Sequence, residues 1–398
     1  MSWPAPETLG EPDEIRFGSP RPPRRRWPRW PLILAGAAVI VVAAVLLLGR
    51  PAAKPIAAKP ARATRSAAKP ARATRTAAKP AATQSSVTVT EAGHRLLGVR
   101  AGWDLLGYGP DRAVRIQLAA GRVTQTVVPP LVSGNPVSFV AGPSQVIIRP
   151  WDFVPGYVVP DGKPARNLPG VLEHGGQVFP GPRPGQVWVR PSLSATSLSL
   201  VRLNGSETGV SMGLPSGGWW LATPDGQGDV LLSGVGEIYA VWPGGSRHLG
   251  GMLAAVGPTR WLTVNCFRPH RCADVVINPR TGAQRQLGGP PVVSVSASAP
   301  GVIAPDGATA AVFRVSTSGQ VTLHLLSLAT GADERIAVPL EQAAAGAGTL
   351  TWSPDSRWLF VITAHGGLAA VNASTQQVQG LGVQLPWLSQ IAVRNAPR

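Results

Sequence analysis

A turn built around proline recurs seven times in this 398-residue chain, always beyond residue 87. A short apolar run follows each proline, and two copies carry Asp-Gly in the turn itself. Proline presets the φ angle of a turn, while Asp supplies a side-chain acceptor and Gly a permissive backbone. The mean spacing, about 41 residues, is that of a four-stranded repeating unit. The prolines are Pro110, Pro143, Pro184, Pro224, Pro258, Pro305 and Pro354.

A second turn shares this period in the C-terminal part of the chain. The Thr-Gly pairs that begin at Thr281 and Thr330 are 49 residues apart, as are Pro305 and Pro354. Two markers with one spacing indicate repeated hairpins. We therefore predict an all-β domain over residues 87–398, a seven-bladed β-propeller with six or eight blades as alternatives. A two-sheet sandwich with a small domain explains evenly spaced turns less well.

One repeat resembles a known family. The segment Leu350-Thr-Trp-Ser-Pro-Asp-Ser-Arg-Trp-Leu-Phe-Val361, followed by Leu368-Ala-Ala-Val371, is similar to a blade of the TolB-like propellers, relatives in shape of the WD-repeat family. The resemblance extends over residues 217–380 and is faint over 88–215. It implies a fold and identifies no ligand. Ring closure in such a fold brings the chain ends together, so we expect Val87–Thr90 and Gln390–Val393 to share a blade.

An apolar segment precedes this domain. Residues 32–49 run for 18 residues without a charge, which as a helix spans roughly 27 Å and predicts a transmembrane helix. Basic residues are equally numerous within 20 residues on both sides, and only their proximity to the helix favours a cytoplasmic N-terminus. The sequence thus predicts a single-pass plasma-membrane protein with a basic, proline-rich cytoplasmic tail (1–31) and an extracytoplasmic propeller. A cleaved signal peptide is the alternative.

A low-complexity spacer of residues 50–86 follows the apolar segment. It repeats Ala-Ala-Lys-Pro-Ala-Arg-Ala-Thr-Arg and contains no acidic residue. Regular proline and like-charge repulsion predict a disordered, extended stalk, and contact with an anionic polymer is the second interpretation. Residues 1–80 hold 15 basic and 4 acidic residues, against 22 and 16 in the remainder. The net charge of +17 therefore belongs mainly to the attachment, and we expect no nucleic-acid partner.

The only two cysteines, Cys266 and Cys272, stand close together in the sequence. They could form a disulfide or, with His270, part of a metal site. Zinc sites use tighter spacings and need further ligands, and a disulfide suits an extracytoplasmic domain. The sequence therefore favours the disulfide and predicts neither a metal nor a cofactor.

No hydrolase elbow, metalloprotease helix, phosphate-binding loop or dinucleotide fingerprint is present. The adjacent Trp219 and Trp220 must point to opposite faces of a strand, so one of them is a candidate exposed binding aromatic. These observations favour a non-enzymatic interaction platform that binds an envelope protein or polymer. The alternative is a small-ligand receptor, or a hydrolase or lactonase with its site in the propeller channel. Whether any catalysis occurs is left open by the sequence.

Overall fold

The computed structural model describes twelve segments of the chain. The predicted tail, the predicted transmembrane helix, nearly all of the predicted spacer, Trp219 and Trp220 lie outside these segments. No helix in these segments is long and apolar enough to cross a bilayer. The segments are 86–131, 137–151, 155–173, 176–192, 194–215, 221–224, 228–233, 237–268, 271–289, 300–316, 318–340 and 348–395.

The described residues form β-strands and three short 3-10 turns, with no α-helix. The first sixteen strands are β1 (Val87–Glu91), β2 (Trp103–Tyr108), β3 (Arg112–Gln117), β4 (Arg122–Val127), β5 (Val137–Ala141), β6 (Gln145–Pro150), β7 (Tyr157–Pro160), β8 (Arg166–Asn167), β9 (Gln177–Pro180), β10 (Gln186–Arg190), β11 (Ser197–Arg202), β12 (Glu207–Gly213), β13 (Leu221–Pro224), β14 (Val230–Ser233), β15 (Glu237–Trp242) and β16 (Gly245–Gly250). The 3-10 turns are Leu96–Gly98, Gly170–Leu172 and Ala364–Gly366.

The remaining strands continue the same antiparallel, up-and-down pattern to the end of the described chain. They are β17 (Met252–Val256), β18 (Trp261–Arg268), β19 (Arg271–Ile277), β20 (Gln284–Gln286), β21 (Gly301–Ile303), β22 (Thr309–Val315), β23 (Val321–Ser327), β24 (Asp333–Ile336), β25 (Leu350–Trp352), β26 (Trp358–Ile362), β27 (Leu368–Asn372), β28 (Val378–Gly380) and β29 (Gln390–Asn395). From β5 onward the strands fall into successive four-stranded antiparallel meanders.

Hydrogen bonding joins the described strands into six sheets, so the prediction of seven separate blades is wrong. Four sheets are single meanders, and a fifth contains β1 to β4 together with β29. The sixth has eight strands, because β17 and β21 pair in parallel through Ala255 with Gly301 and Val256 with Val302. Two meanders that the sequence separates are thus one hydrogen-bonded sheet. The all-β class and the propeller-like arrangement of sheets are confirmed.

The sheet that contains both β1 and β29 is called the closing sheet here, and its strand order is β1-β4-β3-β2-β29. β29 pairs along its whole length with β2 and contacts the inner strands β5 and β25 of the two neighbouring sheets. The expectation that both chain ends share one sheet is therefore confirmed. They do not pair with each other, since β1 forms the opposite edge of the sheet and pairs with β4.

The closing sheet also explains why the seven prolines are not equivalent. Six of the proline turns connect the first and second strands of a meander. Pro110 instead lies between β2 and β3, the second and third strands outward from β29. The inner strand of this sheet is β29, from the far end of the described chain. The Pro110 turn therefore follows the second strand of its sheet, whereas the other six proline turns follow the first strand.

Seven clusters of buried apolar side chains fill the spaces between successive meanders, each cluster shared by two neighbours. One cluster joins the last meander to the closing sheet, where the rings of Phe360 and Trp103 meet edge to face with centroids 5.8 Å apart. Another is centred on Trp188, whose side chain is fully buried and donates to the Gly228 carbonyl. Burial on both faces of each sheet is what a ring of sheets provides.

Candidate binding site

The ends of the inner strands surround a cavity of about 370 Å³, called the funnel here. Three of the repeat prolines, Pro224, Pro258 and Pro305, line it. Inner strands from the second meander onward contribute to it, and β29 adds Val393 from the closing sheet. The lining residues are Pro180, Gly181, Pro224, Gly228, Val256, Gly257, Pro258, Val302, Ile303, Pro305, Thr351, Trp352 and Val393.

The repeat itself gives the funnel its chemistry. Each turn places a proline at or near the end of an inner strand, so the prolines converge where the strand ends converge. Among the described lining residues no side chain is charged, and the only hydroxyl belongs to Thr351. A mainly apolar cavity of a few hundred cubic ångströms with few polar groups is typical of a binding site.

Close packing in the funnel wall requires glycine at position 257. A Cβ on Gly257 would lie 2.6 Å from the Cβ of Ile303. The two residues belong to the two halves of the eight-stranded sheet, where β17 and β21 pair in parallel. A side chain at position 257 would therefore push these halves apart at the funnel wall.

Trp352 forms the adjoining part of the funnel wall. Its indole Nε1 donates to the Val302 carbonyl at 3.0 Å, and its side chain is buried in the cluster between the second half of the eight-stranded sheet and the last meander. The hydrogen bond satisfies the indole N–H, which leaves the ring to contribute only apolar surface.

Two aspartates beside the funnel accept hydrogen bonds from residues of their own turns. An Asp355 carboxylate oxygen accepts from the Ser353 hydroxyl at 2.6 Å and from the Arg357 amide at 3.2 Å. Asp306 accepts from the Ala308 amide at 2.9 Å. Both aspartates cap turns, as predicted from their position after proline.

Asp161 also follows a proline, Pro160, but differs from these two aspartates. It pairs with Arg394 of β29 and, at 3.3 Å, with Arg115. Arg394 also pairs with Asp104 at 3.2 Å, which itself receives the Arg115 Nε at 2.9 Å. We call these four residues the closing ion cluster. It holds β29 against β2, β3 and the neighbouring sheet.

A second polar cluster lies between the two halves of the eight-stranded sheet. Arg314 on β22 pairs with Asp274 on β19 at 2.7 Å and with Asp333 on β24 at 3.3 Å. Burial alone would raise the pKa of Asp333. The hydrogen bond with His324 and the charge of Arg314 outweigh burial, and the pKa lies below its usual range. Asp333 is therefore a carboxylate at neutral pH.

The cysteine prediction is confirmed, because Cys266 and Cys272 form a disulfide. The two residues are directly paired across the β18–β19 hairpin. Both sulfurs are used in this bond, which removes the alternative of a thiolate metal site. Among the residues that the structure describes, no group of three or more His, Cys, Asp and Glu side chains could hold a metal ion.

The disulfide closes a short loop, with a sequence separation of six residues. Replacing both cysteines with serine is expected to lower the free energy of unfolding by about 2 kcal/mol, because the unfolded chain regains the entropy of that loop. Chemical denaturation with and without reductant measures this. Reductant should destabilise the natural protein and leave the double variant unchanged. Equal sensitivity of both proteins to reductant would contradict the prediction.

The comparisons with known proteins add a general likeness in shape. No protein-family model matches the sequence, and no curated protein matches it. A TolB structure from Acinetobacter baumannii has a TM-score of 0.40 at 11% identity, with coverage of 73% of this chain and 82% of that chain. A putative 6-phosphogluconolactonase from Bacteroides uniformis has a TM-score of 0.48 at 9% identity, with coverage of 73% and 99%. Hsv2 of Kluyveromyces lactis has a TM-score of 0.41 at 12% identity, with coverage of 60% and 75%.

Proposed function

We propose that this protein is a membrane-anchored, extracytoplasmic binding platform of the cell envelope. Its propeller-like domain takes an uncharged, apolar group of an envelope protein into the funnel. Residues 32–49 anchor it in the plasma membrane with the N-terminus in the cytoplasm, and the basic spacer of residues 50–86 lifts the domain from the bilayer. The disulfide supports this placement, since disulfides persist in oxidising compartments.

The observation that carries the proposal is the lining of the funnel. Prolines, valines and Trp352 offer apolar surface, and Thr351 offers one hydroxyl. Such a surface gains free energy by burying apolar area, roughly 25 cal/mol for each Å². The cavity of about 370 Å³ is large enough for one or two large apolar side chains of a partner.

Filling the funnel with a charged side chain should abolish binding. Replacing Thr351 with arginine places a long cation among apolar residues, and any apolar group that enters must then leave that charge buried and unpaired. We expect in-cell crosslinking of the full-length variant, followed by purification from membranes and mass spectrometry, to recover at least about tenfold less of the envelope protein that the natural chain captures.

Thr375→Arg is the matched control, because Thr375 lies in an exposed turn of the same sheet. It should capture the partner as the natural protein does. Equal capture by the Thr351 and Thr375 variants would exclude the funnel as the binding site. Repeated capture of only a lipid, a glycan or a small molecule would reject the protein platform. It would then favour the alternative functions, a small-ligand receptor or a channel hydrolase or lactonase.

A further inference from the structure

Three side chains at the outer end of the eight-stranded sheet form a continuous hydrogen-bonded relay. The Oγ1 atom of Thr322 lies 3.0 Å from Nε2 of His324, and Nδ1 of His324 lies 2.7 Å from a carboxylate oxygen of Asp333. Thr322 and His324 are two residues apart on β23 and so share one face of the sheet. Asp333 is on the adjacent strand β24.

The carboxylate determines which imidazole nitrogen carries the proton in the neutral ring. Asp333 is ionised, since its pKa lies below the usual range, and it can only accept a hydrogen bond. Nδ1–H of His324 therefore donates to Asp333, and the free electron pair of Nε2 faces the hydroxyl of Thr322. A hydroxyl, an imidazole base and an orienting carboxylate in this order are the arrangement that activates an alcohol as a nucleophile.

Thr208, elsewhere in the domain, serves as a comparison because its hydroxyl bonds to the backbone. It lies on β12 and donates to the Leu200 carbonyl at 2.8 Å. The corresponding carbonyl for Thr322 belongs to Arg314 and is 3.3 Å away, farther than Nε2 of His324. The shorter contact of Thr322 is with the base.

The relay ends at a groove of about 510 Å³. Of the three relay residues, only Thr322 lines the groove. His324 and Asp333 are mostly shielded, with side chains 19% and 22% exposed. Arg335 and Gln320 line the groove, together with Ile336, Val338 and Leu340, which lie in or pack against the core cluster between this half of the sheet and the last meander.

We propose that this groove is an acyl-transfer site for carboxylic esters, with Thr322 as the nucleophile. Oγ1 of Thr322 forms a bond to the ester carbonyl carbon while its proton moves to Nε2 of His324. The bond from that carbon to the leaving oxygen then breaks, and the alcohol leaves with the proton from His324. Water repeats the sequence to release the acid. Asp333 is a positioning residue, and Arg335 supplies positive charge beside the developing oxyanion.

The test uses p-nitrophenyl butyrate and the full-length protein in detergent. We expect release of p-nitrophenolate and one butyryl group on the peptide that contains Thr322, located by mass spectrometry. Thr322→Val and His324→Gln should each lower the acylation rate by about 100-fold or more. Thr208→Val is the matched control and should react as the natural protein does.

A test of the positioning role of Asp333 must distinguish that role from a loss of folding. Asp333→Asn should lower the limiting rate of acylation while the half-saturating ester concentration stays unchanged. Acylation at another residue, or equal rates in the Thr322 and Thr208 variants, would overturn the proposal. Because the groove and the funnel share no lining residue, this result is independent of the binding function proposed above.

Discussion

Replacing Arg394 with methionine is expected to lower the free energy of unfolding by about 3 to 5 kcal/mol, which is the cost of breaking a buried ion pair from one side. Arg394 is 7% exposed and Asp104 is 3% exposed. Besides its two aspartates, Arg394 donates to the Gly142 carbonyl of the neighbouring sheet at 3.1 Å. Methionine fills similar space but leaves Asp104 and Asp161 with only Arg115 for compensation. Chemical denaturation of the full-length protein, followed by tryptophan fluorescence, measures the change.

Arg122→Met is the control for this variant. Arg122 pairs with Glu91 at 2.8 Å, but the two side chains are 47% and 62% exposed, so the loss should be no more than about 1 kcal/mol. A similar, small effect of both substitutions would show that the closing ion cluster does not hold β29 in place.

The second large effect is expected at the contact between the last meander and the closing sheet. Phe360 is fully buried there against Trp103. Replacing Phe360 with alanine removes the ring and leaves a cavity between two sheets, at an expected cost of about 3 to 5 kcal/mol in the free energy of unfolding. The same denaturation experiment measures it.

Val378→Ala in the same meander is the matched control, because Val378 is 39% exposed. Its effect should remain within about 0.5 kcal/mol. If Phe360→Ala cost no more than this control, the contact between the two ends of the chain would contribute little to stability.

The repeat predicted the architecture because proline turns act locally. Six of the seven prolines lie where a four-stranded meander requires a turn, and their spacing reflects the length of that unit. The residues around Pro110 resemble those around the other six prolines, so the local pattern predicts the same kind of turn there. Pro110 differs from the other six prolines because β2 pairs with β29. This pairing joins strands far apart in the sequence, so no local pattern predicts it.

The candidate sites likewise differ in whether their residues lie close together or far apart in the sequence. The disulfide was predictable because both cysteines lie in one hairpin. The proximity of Thr322, His324 and Asp333 was also predictable. Residues two apart on a strand share a face, and the Thr330–Gly331 turn returns Asp333 to the side of the other two. Only part of the funnel had a local signal in the sequence, the repeat prolines Pro224, Pro258 and Pro305. The sequence could not show which residues join them, because the lining comes from strands that are separated by tens to hundreds of residues. Asp161 likewise became an ion-pair partner only through folding.

The position of β29 also sets the order in which the domain can be completed during synthesis. Asp104 and its partner Arg394 are 290 residues apart, so at ribosomal speeds of about 5 to 20 residues per second the interval between them is roughly 15 to 60 s. Throughout that interval the inner edge of β2 has no strand to pair with, and an unpaired edge invites association with other chains. A nascent chain of this protein therefore needs its β2 edge shielded until the last strand emerges.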